Sequence, residues 1–169
     1  MAIELDDAAT SAADPTALRG VYGQFPTGVM AMCAMHDGDP VGFAVSSFNT
    51  ISIEPPLVAV CVQQGSSTWP LLAASPRIGL SVLAANQKEL CRNLARRGRF
   101  DRLSGAGWSA TPQGAVLIAD AAGWLECNIH DIATYGDHEL VVLRVRRHRR
   151  NDEVAPLVFH ASGFRGLVA

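Results

Sequence analysis

Apolar residues along the chain fall mostly into short runs of strand length separated by turn chemistry, with helical spacing in only a few places. Residues 28–35 and 41–48 form two such runs. They are joined by His36-Asp37-Gly38-Asp39-Pro40, whose Asp-Gly step supplies the positive φ angles of a tight hairpin. Residues 57–63 form a third run behind Pro55-Pro56, which can donate no ladder hydrogen bond, and this predicts a buried central strand. Ser66-Ser67-Thr68 followed by Trp69-Pro70 places proline in a first turn and predicts a short helix ending near Ala74. A strand over 78–83 and a helix over 86–97 come next. Leu90, Cys91 and Leu94 share one face of that helix, and Gly98 stops it. The second half predicts strands over 123–132, 139–147 and 157–160, with Tyr135-Gly136-Asp137 as the turn between the first two. Residues 15–22 predict a first helix. Residues 1–14, rich in Ala, Asp and Ser without periodicity, read as a loose tail before a domain spanning 15–169.

This order lacks the regular strand–helix alternation of a doubly wound parallel sheet. It predicts a mainly β protein with peripheral helices, built as a closed, mainly antiparallel barrel. At 169 residues, with 49% hydrophobic and 18% charged content, the chain suffices for one cored domain. A net charge of −2 provides no field for a nucleic-acid partner. No apolar run approaches the ~20 residues of a membrane span, so a cytoplasmic protein is expected. Cys33, Cys61, Cys91 and Cys127 show no zinc-site spacing and read as buried thiols of a reducing compartment.

Chemistry is only partly marked. The hydroxyl clusters Ser46-Ser47 with Asn49-Thr50, and Ser66-Ser67-Thr68, each follow a strand, where hydroxyls and amides can meet an anion. The second cluster opens a helix, which favours phosphate, although an ordinary N-cap reads the same way. Walker, Rossmann and GxSxG patterns are absent, and the histidines form no catalytic pattern. His138 stands after a turn at a strand start, where a side chain can reach a cleft or simply solvent. The arginine-rich run 144–150 reads as a strand leaving the core. Spacing selects no ring-stacking residue among Phe43, Phe48, Trp69, Phe100, Trp108 and Trp124.

Three blocks, Phe25-Pro26-Thr27-Gly28-Val29, Val41-Gly42-Phe43-Ala44-Val45-Ser46-Ser47-Phe48 and Glu54-Pro55-Pro56-Leu57-Val58, resemble the flavin-reductase-like, FMN-binding split-barrel family. So do Ser66-Ser67-Thr68-Trp69, Ser81-Val82-Leu83-Ala84-Ala85-Asn86-Gln87 and Gly136-Asp137-His138, in an order covering roughly residues 18–167. The resemblance implies an antiparallel split β-barrel, a homodimer, and NAD(P)H:flavin oxidoreductase activity. FMN or FAD would be the flavin and NADH or NADPH the hydride donor, with reduced flavin passing to a separate monooxygenase.

Carried over by position, Phe43, Ala44, Val45, Ser46 and Ser47 line the isoalloxazine, with Cys61, Val62 and Gln63 on the neighbouring strand. Ser66, Ser67 and Thr68 approach the phosphate, Thr27 lies close to the flavin, and His138 orients the nicotinamide as the catalytic histidine. The chain departs from the family at Gln64-Gly65, where a basic residue is frequent, and at Leu143, where glycine is common. It also carries Phe164-Arg165 where a tyrosine before a basic residue is usual. The alternative reading is a flavin carrier or sensor without efficient nicotinamide turnover.

Overall fold

A computed structural model describes residues 14–96, 98 and 101–167. Of the expected N-terminal tail, residues 1–13 lie outside this range. Asp14, the last residue of that segment, accepts the Thr16 N–H on its carboxylate at 2.8 Å and caps helix α1 (Pro15–Tyr22).

Strand β1 (Thr27–Gly28) precedes the hairpin β2 (Met30–His36) and β3 (Asp39–Val45), whose turn places Asp37 and Gly38 at φ 50° and 89°. β3 stops at Val45 rather than continuing to Phe48, and the chain turns into β4 (Asn49–Ser52), an edge strand too exposed to have an apolar signature. Then follow β5 (Leu57–Gln63), α2 (Trp69–Ala73), β6 (Ile78–Val82) and α3 (Lys88–Ala95). The small hairpin β7 (Trp108–Ala110) and β8 (Val116–Ile118) precedes β9 (Gly123–Tyr135) and β10 (His138–Arg150). β11 (Val158–His160) and β12 (Gly163–Arg165) end the fold. The exposed stretch Arg146 to Arg150 confirms that β10 runs out of the core.

Seven strands form one antiparallel sheet in the order β3-β2-β6-β9-β10-β5-β4. Its edge strands, β3 and β4, are separated in the chain by Ser46, Ser47 and Phe48 alone. The sheet has therefore curled until its edges lie side by side without pairing. The barrel is split, not closed as the element order alone suggested. Across the split, the Ser47 hydroxyl accepts the Cys61 N–H at 2.9 Å and donates to the Cys61 carbonyl at 3.0 Å. It serves β5 where β4, which pairs only with residues up to Ala59, no longer reaches.

Alternate residues of β2 enter different cores, which explains its unbroken apolar run. Met30, Met32 and Ala34 pack inside the barrel with Val60, Leu80, Leu143 and Leu72 of α2. Ala31 and Cys33 pack outside it with Leu94 of α3, Val116 and Leu157. Three cysteines are buried as expected, but Cys61 is exposed, because its side chain turns from the core toward the split.

A candidate flavin site at the split of the barrel

The split opens into a cavity of about 550 Å³, within the ~300–1,000 Å³ usual for small-molecule sites. One wall is the end of β3, from Phe43 to Ser47; the other is the end of β5, from Cys61 to Gln63, with Ser66 and Ser67 beyond it. His138, the first residue of β10 and the partner of Gln63 in the ladder, closes one side. The structure thus brings together all the sequence-predicted site residues except two. Thr27 pairs with Phe159 in the separate three-stranded sheet β1-β11-β12. Thr68 is set back behind the wall, beside a gap of about 10 Å³ shared with Gly42 and Arg102.

The contributions of these residues differ. Val45 and Val62, 7% and 2% exposed, spend their side chains on the barrel core and leave only backbone for the cavity. The Gly42 carbonyl accepts a hydrogen bond from Arg102 Nη1 at 3.2 Å, so it points off the free edge of β3. Strand alternation turns the amide groups of Ala44 toward the same edge. Glycine is required at 42: a Cβ there would lie 2.3 Å from Cys33 Sγ and 2.7 Å from the Met32 carbonyl. Among the candidate stacking aromatics, Phe43 lines the cavity. Trp69 instead donates its indole N–H to Glu139, and Trp124 donates to the Ile118 carbonyl at 2.6 Å. Phe100 lies outside the described residues.

His138 Nδ1 stands 2.7 Å from Asp137 Oδ1, which fixes the imidazole relative to the turn and leaves the ring 44% exposed. The hydrogen bond to His138 holds the Asp137 carboxyl below the usual carboxylate range. The helix after the serines is weaker than expected as an anion site. α2 has five residues, the Trp69 N–H is already taken by Ser66 Oγ at 3.2 Å, and Thr68 makes no side-chain cap.

Positive charge comes from residues that sequence reasoning did not select. Arg96, just past α3, and Arg102 both line the cavity, with Leu94 and Ala95 beside them. No aspartate or glutamate is among the described lining residues. The earlier signal was the cluster of cations at the end of the predicted helix, which reads equally well as a favourable helix C-terminus.

A family model described as the flavin reductase like domain matches residues 22–168. The chain belongs to this family. It is 35% identical to a flavin reductase of Pseudomonas putida over 94% of each chain. It is similar to the solved NADH:FAD oxidoreductase SgcE6 of Streptomyces globisporus in complex with NAD and FAD fragments (32% identity, TM-score 0.87), covering 99% of this chain and 98% of that one. A nitrilotriacetate monooxygenase component B structure from Mycobacterium thermoresistibile is also similar (32% identity, TM-score 0.88), covering 94% and 89%. Some relatives are longer: the chain spans 62% of the stachydrine N-demethylase reductase subunit Stc3 of Rhizobium meliloti, at 35% identity.

The residues present fit a flavin. The cavity is large enough, two of its walls are the ends of β3 and β5, and Arg96 and Arg102 give it the positive charge that suits a phosphate ester.

Proposed function

We propose that this chain is an NAD(P)H-dependent flavin reductase that holds FMN or FAD between the ends of β3 and β5 and delivers reduced flavin to a separate monooxygenase. The observation that carries this reading is the cavity at the split, carboxylate-free among its described lining residues and bearing two arginines. The names of relatives, an NADH:FAD oxidoreductase and a monooxygenase component, favour FAD, NADH and an oxygenase partner.

Bound flavin supplies N5 as acceptor of the hydride leaving nicotinamide C4. The protein positions both rings. Backbone at Ala44 and Val45 sets one edge of the site, Cys61 and Val62 set the other, and Ser47 fixes their spacing through its two bonds to Cys61. His138 orients the nicotinamide from the β10 side, its ring anchored on Asp137. No nucleophile is needed, so the contribution to rate is geometric.

Homodimerisation and a cytoplasmic location belong to the same reading. Ile51 on the edge strand next to β5 and Ile53 just beyond it, 50% and 90% exposed, support a self-association surface. The four free thiols suit a reducing compartment.

The test is anaerobic stopped-flow mixing of the flavin-loaded protein with NADH or NADPH, following the oxidised-flavin band. Enzyme-dependent bleaching is expected, whereas flavin binding without bleaching by either donor would move the chain to the carrier reading. His138→Ala should slow bleaching by about tenfold or more while flavin affinity stays within about twofold. Unchanged reduction rates would remove His138 from the mechanism.

A further inference from the structure

We infer that this chain carries a second ligand site, separate from the flavin cavity, that takes a small organic cation with an aromatic body. It lies where the β2–β3 hairpin meets α2 and the loop leading into β7, and it stands independently of the flavin reading above.

A cavity of about 750 Å³ opens there, and none of its described lining residues is shared with the cavity at the split. The two sit at opposite ends of β3: Asp39, Pro40 and Val41 line this one, whereas Phe43, Ala44 and Val45 line the other. Leu71 of α2 and Leu103 of the loop complete an apolar wall with Pro40 and Val41. Leu103 is 4% exposed, and the other three are half-buried, so a ligand seated on this wall leaves water behind on much of its apolar surface.

The two cavities are opposite in charge. Arg96 and Arg102 face the split without a described carboxylate, whereas Asp37, Asp39 and Asp101 line this cavity without a described lysine or arginine. The Asp37 carboxylate stands 3.4 Å from His36 Nε2, and that of Asp39 has no hydrogen bond or ion pair among the described residues. Such a lining repels the phosphates of flavins and of nicotinamide dinucleotides, so its ligand belongs to a different chemical class. It attracts an ammonium, and pairing beside an apolar wall is screened less than pairing in open solvent.

Trp108 adds the aromatic requirement. It is 39% exposed, lines the same cavity and is positioned by the β7–β8 ladder, where it pairs with Ile118. Trp69 and Trp124 donate their indole N–H groups within the fold, but Trp108 has no hydrogen bond or ring contact among the described residues. A half-exposed indole beside carboxylates offers a face both to an aromatic ring and to a cation. An arylalkyl ammonium meets the apolar wall, the carboxylates and the indole together.

The experiment titrates the full chain with 2-phenylethylammonium, by calorimetry and by tryptophan fluorescence, against three probes that each lack one feature. 2-Phenylethanol lacks the charge, 3-phenylpropionate reverses it, and butylammonium lacks the ring. The amine should saturate with a dissociation constant of about 0.1–1 mM, the range for a ligand of this size. The alcohol and butylammonium should each bind about 5- to 20-fold more weakly, and the acid more weakly still. Excess FMN should leave the amine affinity within about twofold. Asp37→Asn with Asp39→Asn should reduce the amine to the affinity of the alcohol, and asparagine tolerates the φ of 50° at residue 37. Trp108→Leu should weaken the amine about three- to tenfold while circular dichroism stays unchanged. Absence of saturation by about 10 mM, equal affinity for amine and alcohol on the wild type, displacement of the amine by FMN, or wild-type affinity in both variants would each overturn the inference. Should Trp108→Leu fail to fold, the aspartate double variant decides alone, because both carboxylates are exposed. A chain that binds the amine in this pattern but reduces no flavin keeps this site and loses the reductase reading.

Discussion

Glu126 is 4% exposed on β9, a position where a carboxylate persists only if it is paired. It faces Gly79 on one neighbouring strand and Arg147 on the other, accepts from Arg147 Nε, and accepts from Thr111 Oγ1 at 2.9 Å. Thr111 belongs to the turn of the β7–β8 hairpin, so one carboxylate ties that hairpin to the barrel. Arg147 first, then Thr111, hold the Glu126 carboxyl below its ordinary value, against the opposing effect of burial. A depressed folded-state pKa stabilises above the ordinary carboxylate range and is lost as pH falls through the folded value. Glu126→Gln should therefore cost about 1–2 kcal/mol near neutral pH, discounted because Arg147 is largely exposed. Urea unfolding at neutral pH and at successively lower pH through the carboxylate range checks this: the gap between wild type and variant should close once pH falls below the depressed value. A gap independent of pH would show that packing, not charge, is responsible.

Gly79 on β6 is where the β7–β8 hairpin lies flat on the sheet. A Cβ there would lie 2.0 Å from the Val116 carbonyl oxygen, backbone that cannot step aside without lifting the hairpin. Gly79→Ala should destabilise by about 1–3 kcal/mol, read by urea midpoint, and a near-neutral result would mean the hairpin floats. The same hairpin shows what the pattern of apolar positions could not reveal. The first halves of β2 and β5 are buried on both faces and stand out as continuous apolar runs. The strands β7 and β8 have three residues each, and β7 is exposed throughout, so no periodicity betrays them. β4 was equally silent, with Asn49, Thr50 and Ile51 all exposed. The long β9–β10 ribbon was legible in its apolar centre and underestimated at its polar ends, where pairing between the two strands continues after burial has stopped.

At the scale of the whole molecule the site is a consequence of a sheet whose two edges meet and do not pair. The strand residues of the site could be located from the chain because they sit in continuous motif blocks at the ends of β3 and β5. Arg96 and Arg102 could not: Arg96 reads as a cation completing a helix C-terminus, Arg102 comes from an aperiodic stretch, and both reach the cavity only through the way α3 packs outside the barrel. The positive charge that Gln64-Gly65 lacks reaches the cavity from another part of the fold, at Arg96 and Arg102. The split also leaves β4 as a free edge, and Ile53 just beyond it is 90% exposed. Covering such a side chain contributes about 1.5–3 kcal/mol, and an uncovered free edge invites aggregation. A second copy would solve both problems next to the strand that lines the site. Light scattering should accordingly find a species of twice the 18.0 kDa chain mass. Ile53→Asp should shift it to the monomer by placing a charge in the contact, with secondary structure intact by circular dichroism. If β5 is positioned by that contact, the monomeric variant should also bind FMN more weakly and recover affinity as protein concentration rises. A wild type that remains monomeric at micromolar concentration would remove the dimer, and a monomeric variant with unaltered FMN affinity would show that each chain carries a complete site by itself.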